Sequence, residues 1–277
     1  MLIYGFTQLL RCKMVSLEHL SLLRSELKLK ILLSLFNGKR RIAELRSDVE
    51  TRDTTILHIL EEFGDLNLIT KTQGVYTLSS LGVMEAKIIK EYLLAEEVIE
   101  KFKDFWLSHN VGDIPAYLLQ NMGALKDAQL VRTGATELGI VHKTVLEGLK
   151  TCKKIKGISP IFHPDFISLF GQLLDQGCTI ELIVSGEVLT KITGFVDIEL
   201  VKKYLKENKL RIYVKEDVKV ALALTENSFS LGLFSPSGMY DDRMDLLSDS
   251  IESIEWGERL FEDVARRSTR VGLEFLS

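Results

Sequence analysis

Arg52, Thr54, Thr55 and His58 open a segment in which Ile56, Ile59, Leu60 and Phe63 recur at helical spacing. Short donors and acceptors at the N-terminal end of a helix, away from its apolar stripe, have the chemistry to meet base edges and phosphate oxygens. Lys71 and Gln73 follow near the turn of a short hairpin, and Lys39, Arg40, Arg41 and Arg46 add positive charge upstream. Asp53, Glu61 and Glu62 stand on the same segment, and carboxylates repel phosphate. A second reading therefore stays open, in which this surface contacts protein, or the chain is a metabolite-binding module that does not act on DNA. The sign of the charge that dominates the 52–64 face separates the two.

A second set of residues follows predicted strands: Thr133 and Gly134, Ser159 with His163, and Ser185 with Gly186. Open α/β sheets bind ligands beyond the carboxyl ends of their strands. Hydroxyls, helix N-termini and close backbone approach at glycine suit an anion or a carboxylate there, such as a small-molecule effector.

Other chemistries find no support. The three cysteines, Cys12, Cys152 and Cys178, have no CxxC spacing and fit a reducing cytosol. Cys152 and Cys178 with His142 and His163 match no metal-ligand pattern, so neither a metal nor a cofactor is expected. Each of the five histidines lacks the lysine two residues on that a His-x-Lys phosphoryl-transfer site needs. With no Gly-x-Ser-x-Gly, P-loop or Gly-x-Gly-x-x-Gly either, the chain is not expected to be an enzyme.

The elements that must hold these residues can be read in order. Leu27, Ile31, Leu32, Leu35 and Phe36 predict a helix ended by Asn37-Gly38; Ile42, Leu45 and Val49 predict a short second one. A third is expected from about Arg52, with Thr51 as its N-cap, and then strands Leu68–Lys71 and Val75–Leu78 on either side of Thr72-Gln73-Gly74. Three helices and a hairpin are the order of a winged helix-turn-helix, whose helix before the hairpin enters the major groove. From Ser79 to Ser108 one continuous helix is predicted, with Met84, Ile88, Tyr92, Ala95, Ile99, Phe102 and Trp106 along one stripe and Ile89, Leu93 and Val98 beside it. So wide an apolar surface calls for cover from a second protomer. Beyond it, strands near 128–132, 156–159, 179–184 and 210–214 alternate with helices, a hairpin spans 219–234, and a last helix runs from Ser250 to about Ser268.

The 277 residues are 46% hydrophobic and 27% charged, the composition of a soluble folded protein of two domains, with no run long enough to span a membrane. The formal net charge is −4. Residues 20–80 are close to neutral, with nine basic and eight acidic side chains, so binding to nucleic acid must come from local arrangement.

The 25–80 segment, with Asp53-Thr54-Thr55-Ile56-Leu57-His58-Ile59-Leu60 followed by Leu66-Asn67-Leu68-Ile69, resembles the winged helix of archaeal regulators related to the arsenic-repressor and sugar-operon groups. Asn67 stands where those families usually have glycine, and asparagine also tolerates a left-handed backbone. Leu231-Gly232-Leu233-Phe234, Gly238-Met239-Tyr240-Asp241, Asp245-Leu246-Leu247 and Glu255-Trp256-Gly257-Glu258-Arg259-Leu260-Phe261 are similar to the middle domain of the archaeal methanogenesis/filamentation regulator family. The resemblance, over roughly 20–270, implies a one-component transcription regulator whose sensor shares the phospholipase D sheet architecture; it carries over no ligand.

The expectation is thus a mixed α/β chain: an N-terminal arm over 1–20, a winged helix over 21–80, a linker and dimerisation helix over 81–111, and an α/β sensor over 112–277. As a cytoplasmic homodimer it would place two recognition helices about 34 Å apart on a double-stranded DNA operator. Tyr240, Asp241, Trp256, Gly257 and Phe261 are read as structural.

Overall fold

The computed structural model describes residues 22–134 and 139–273. The arm expected over 1–20 lies outside the described residues. The chain divides into two compact units that meet between Leu93 and Leu94.

In the first unit, helices α1 (Glu26–Phe36), α2 (Ile42–Val49) and α3 (Asp53–Asp65) precede an antiparallel hairpin of β1 (Ile69–Thr72) and β2 (Val75–Leu78). Ile31, Leu35, Leu45, Ile56, Leu60 and Phe63 meet in its core, so the periodicity of all three helices is explained by one shared interior. Asn67 takes the left-handed backbone its position requires, at φ 57°. The N-cap of α3 is Arg52, one residue after the expected Thr51, and no side chain caps that end. The hairpin pairs Thr72 with Val75, so its loop is two residues, Gln73 and Gly74, one shorter than expected. Their φ values of 52° and 77° are those of a type I′ turn, whose twist matches the strands it joins.

Helix α4 (Ser80–Lys101) begins against the end of α3. The Ser79 hydroxyl donates to the Asn67 carbonyl at 2.6 Å and accepts the Gly82 N–H at 3.0 Å. Gly82 is required there, because a Cβ would lie 2.0 Å from the Leu68 carbonyl oxygen. The predicted single helix is broken: Phe102 leaves helical geometry at ψ 28°, and α5 (Lys103–Ser108) starts afresh. Burial of Phe102 and Phe105 in the second core and donation from Lys101 Nζ to the carbonyls of Lys126 and Ala128 hold the break. The first half of the predicted stripe also faces outward. Ala86, Ile89 and Val98 are buried, whereas Met84, Ile88 and Tyr92 are 57%, 66% and 49% exposed.

The second unit continues with α6 (Ala116–Leu119), a 3₁₀ turn at Met122–Leu125, β3 (Gln129–Arg132), α7 (Ile140–Leu149), β4 (Lys154–Ser159), α8 (Pro164–Asp175) and β5 (Thr179–Val184). Then come α9 (Gly186–Thr193), α10 (Ile198–Lys206), β6 (Leu210–Val214), β7 (Val220–Leu224), β8 (Phe229–Phe234), β9 (Tyr240–Ser248), α11 (Ile251–Arg266) and β10 (Thr269–Arg270). The strands form one eight-stranded sheet in the order β10-β6-β5-β4-β7-β8-β9-β3. Its β4–β5–β6 part is parallel, with helical crossovers, and the remaining pairs are antiparallel. The fold is mixed α/β, as expected; β9 and β10 were not foreseen.

Alternation along the central strands gives the sheet two unlike faces. Ile158, Leu222, Leu224, Phe229, Leu231 and Leu246 point to one side and pack with Trp256, Leu260 and Phe261 of α11. The Trp256 indole N–H donates to the Leu118 carbonyl at 3.0 Å, and Trp256 and Phe261 are core residues. Gly157, Ala221, Ala223, Ser230 and Gly232 occupy the intervening positions on adjacent strands, so the other face is floored by small side chains.

Candidate functional site

Arg52, Thr54 and His58 lie exposed on the N-terminal half of α3, with Thr55 half-buried beside them, while Ile56, Ile59 and Leu60 are buried. The backbone N–H groups of the first turn have no side-chain cap and carry the positive end of the helix dipole. Two of the four carboxylates on this helix are met by basic side chains. Asp53 pairs with Arg46 at 3.4 Å, and Glu62 is held by Lys28 and by His58, whose Nε2 lies 3.4 Å from it. That pairing lowers the repulsion the acidic residues would otherwise present to phosphate.

The flanking basic residues divide. Lys71 is exposed on β1, its ammonium 5.1 Å from the Tyr76 ring centroid, and Gln73 projects from the hairpin turn. Arg41 is exposed at the start of α2. Arg40 is engaged internally: its Nε donates to Ser34 Oγ at 3.1 Å and Asp48 Oδ2 at 3.0 Å, and its backbone exchanges two hydrogen bonds with Tyr76. Its side chain ties α1 to α2, and its backbone joins the hairpin.

In the second unit, the small-residue face of the sheet floors a cavity of about 120 Å³ beneath α7, α8 and α9. Val145, Phe166, Phe170, Leu182 and Val188 wall it, and Ser159, His142 and His163 also line it. Of the residues expected to bind a ligand, Ser159 and His163 are therefore here and the other four are elsewhere. Thr133 and Gly134 follow β3 at the far edge of the sheet, where the Thr133 N–H donates to the Arg243 carbonyl. Ser185 caps α9 by accepting the Val188 N–H, and the Gly186 N–H is taken by the Glu216 carboxylate at 3.2 Å.

Asp245 is the residue that sequence reasoning missed. It is 3% exposed, lines the cavity, and lies directly across the β8–β9 ladder from Gly232. Its Oδ2 accepts from the Ser230 hydroxyl at 2.7 Å; its Oδ1 is buried without a partner. Burial, which penalises the charged form, pushes its pKa up to about 7; the Ser230 bond opposes this and the charges of Asp241 and Asp242 add to it. The available signals were the alternation Val220-Ala221-Leu222-Ala223-Leu224 and Ser230-Leu231-Gly232-Leu233, which leaves one face small, and an acid inside a strand.

The histidines and cysteines separate into two places. The His142 and His163 rings lie with centroids 3.8 Å apart and planes tilted by 38°, and with Asp165 they bring three ligand-type atoms within 4.8 Å of one another. Each already has a local partner: His163 Nδ1 accepts the Asp165 N–H at the start of α8, and His142 Nε2 lies 3.3 Å from Asp165 Oδ2. Burial, and then the neighbouring imidazole, lower the His142 pKa. Cys152 and Cys178 sit in the core beside α8 and α10, where burial pushes Cys152 up to about 12 and raises Cys178, so both are protonated thiols.

Among solved structures, TrmBL2, an archaeal chromatin protein with a novel mode of DNA binding, aligns at a TM-score of 0.43 with 14% identity over 91% of this chain and 98% of its own. Nuc, a phospholipase D family member from Salmonella typhimurium, aligns at 0.37 with 10% identity over 52% of this chain and 97% of its own. The methanogenesis regulatory protein FilR1 of Methanothrix harundinacea (strain 6Ac) is 30% identical over 248 residues, 88% of this chain and 56% of the relative. The chain thus spans little more than half that relative's length. Residues 18–96 match the N-terminal domain of the methanogenesis regulatory protein FilR1 and residues 140–267 match its middle domain. Carrying both domains in sequence, the chain belongs to the family of the methanogenesis regulatory protein FilR1.

Proposed function

We propose that this chain is a DNA-binding transcription regulator whose first unit, a winged helix-turn-helix over 21–80, reads an operator with α3, and whose second unit responds to a small molecule. The observation that carries the DNA reading is the division of α3 into a buried stripe and an exposed, uncapped N-terminal half bearing Arg52, Thr54 and His58. In front of a hairpin with an exposed Lys71 and Gln73, this is the arrangement in which the helix enters the major groove and the hairpin meets neighbouring backbone. The pairing of Asp53 and Glu62 favours DNA over the protein-binding alternative. The proposed surface comprises Arg52, Thr54, Thr55, His58, Lys71, Gln73 and Arg41; Arg40 is left out because its side chain is committed within the fold.

The relative's name, a methanogenesis regulatory protein, supports a regulatory role over catalysis. The second unit we read as a sheet of the phospholipase D layout without a His-x-Lys pair, a sensor and not an enzyme. The exposed row Met84, Ile88 and Tyr92 on α4, one residue per helical turn, is the surface through which two copies pair, with 81–111 serving as the linker and dimerisation segment. An effector in the cavity changes DNA affinity only to the extent that it binds one arrangement of the dimer more tightly than the other.

Selection of duplexes from a randomised library by the purified chain tests the reading. The expected product is an enriched motif with two related halves about one helical turn apart. Recovery of duplexes with no common sequence would remove the operator-reading role of α3.

A further inference from the structure

We propose that the cavity of the second unit takes a small molecule with a compact apolar body and one protonated nitrogen, and that Asp245 holds that nitrogen as an ion pair. This rests on the reading of the second unit as ligand-responsive, and names the class of ligand.

The site is built. Gly157 of β4 and Ala221 and Ala223 of the adjacent β7 floor it, and Phe166 and Phe170 wall it. Gly232 makes room for the polar end of the lining: a Cβ there would lie 2.6 Å from Asp245 Oδ1 and 2.9 Å from the Tyr240 hydroxyl, so both groups sit where a side chain would otherwise be. A buried carboxylate oxygen without a partner is costly and rare in native folds, and this one belongs to a residue that lines the cavity.

Charge selects the ligand. The described lining residues include Asp242 and Asp245 but no lysine or arginine. The titratable groups that face or line the site are Asp245, Asp242 and Tyr240 of β9, with Asp241 contributing from the same strand, His142 of α7 and His163 before α8. An anion placed against Asp245 would bring a further negative charge into a buried site, which the low local dielectric makes unfavourable. A cation satisfies Oδ1 and offsets the charges of Asp242 and of Asp241 that act on Asp245, Asp241 being paired with Arg243 at 3.0 Å. The anion or carboxylate expected from the strand ends is thereby replaced by its opposite. Size is set by volume: an engineered apolar cavity of about 150 Å³ admits benzene, so about 120 Å³ suits a body of roughly six heavy atoms, which the phenylalanine walls also favour beside a cation.

Calorimetric titration of the full chain at pH 8 with benzylamine, benzyl alcohol and benzoate, three probes of one size, tests the proposal. Benzylamine is expected to bind at least about tenfold more tightly than benzyl alcohol, and benzoate more weakly than both. In Asp245→Asn the preference of the amine over the alcohol disappears. Should that variant fold poorly, the wild type supplies the same information. Its affinity for benzylamine falls at least about tenfold from pH 8 to pH 5.5 as Asp245 takes up its proton, while its affinity for the alcohol stays flat. Equal or weaker binding of the amine than of the alcohol or benzoate, an unchanged preference in Asp245→Asn, or no binding of any probe overturns the proposal. Repeating the titration with selected DNA separates the two claims. Benzylamine bound through Asp245 without effect on DNA affinity contradicts the sensor reading alone; a DNA response to some other ligand with no amine binding contradicts this inference alone.

Discussion

Asp245 and Gly232 are paired across the β8–β9 ladder, and the carboxylate occupies space that any side chain at 232 would claim. Gly232→Ala is expected to force Asp245 and the Tyr240 ring apart and to destabilise the second unit by about 1–3 kcal/mol, as overpacked cores do. Thermal melting of the variant checks this. A melting temperature equal to wild type would show that the pair has slack, and that the glycine is there for the strand alone.

Asp245 also sets a pH dependence. Its pKa is raised in the fold, so between about pH 4 and about 7 the folded chain keeps a proton that the unfolded chain has released. Stability from this group is therefore full at the acid end and lost as pH rises through that interval, by a few kcal/mol, then level above it. Denaturant titrations of wild type and Asp245→Asn across the interval should differ in slope, with the asparagine variant gaining relative stability toward neutral pH. Parallel curves would mean that the carboxyl is solvated.

Gly82 offers a test confined to the first unit. Its missing Cβ would meet the Leu68 carbonyl, a backbone atom that cannot swing away, so Gly82→Ala is expected to cost about 3 kcal/mol or more. Calorimetry should show one transition moved down and the second unit's transition in place. A single unchanged profile would contradict the seating of α4 on the end of α3.

The exposed row on α4 predicts the state of assembly. Ile88→Glu places a charge in the middle of Met84, Ile88 and Tyr92 and should convert a dimer to monomers in sedimentation velocity, with little change in melting, since Ile88 is 66% exposed within the chain. A wild-type chain that sediments as a monomer would contradict the pairing surface.

Much of this fold could be read from residues. The core of the first unit followed from the spacing of Ile31, Leu35, Ile56, Leu60 and Phe63, and Asn67 signalled its left-handed turn. The long helix was misjudged because its apolar residues occupy two adjacent stripes, and periodicity cannot say which faces inward. Ile89 faces the core of the first unit, and Val98 faces that of the second together with Phe102 and Phe105. Strand β9 was hidden by Asp241, Asp242 and Asp245, which read as a turn until their pairing with β8 is known. The ligand residues were placed by a rule for parallel sheets. With β7, β8 and β9 lying between β4 and β3, Thr133 is at the far edge, and Asp245 is on β9, the strand next to that edge.

The central claim is that the exposed half of α3 reads DNA, and the salt dependence of binding to a selected duplex tests it most directly. With few phosphates neutralised by a nearly neutral domain, the wild-type slope of log affinity against log salt should be shallow for a DNA binder. Arg52→Ala is expected to weaken specific binding about tenfold, and Lys71→Ala to reduce the slope by about one. Wild-type affinity and slope in both variants would contradict the claim.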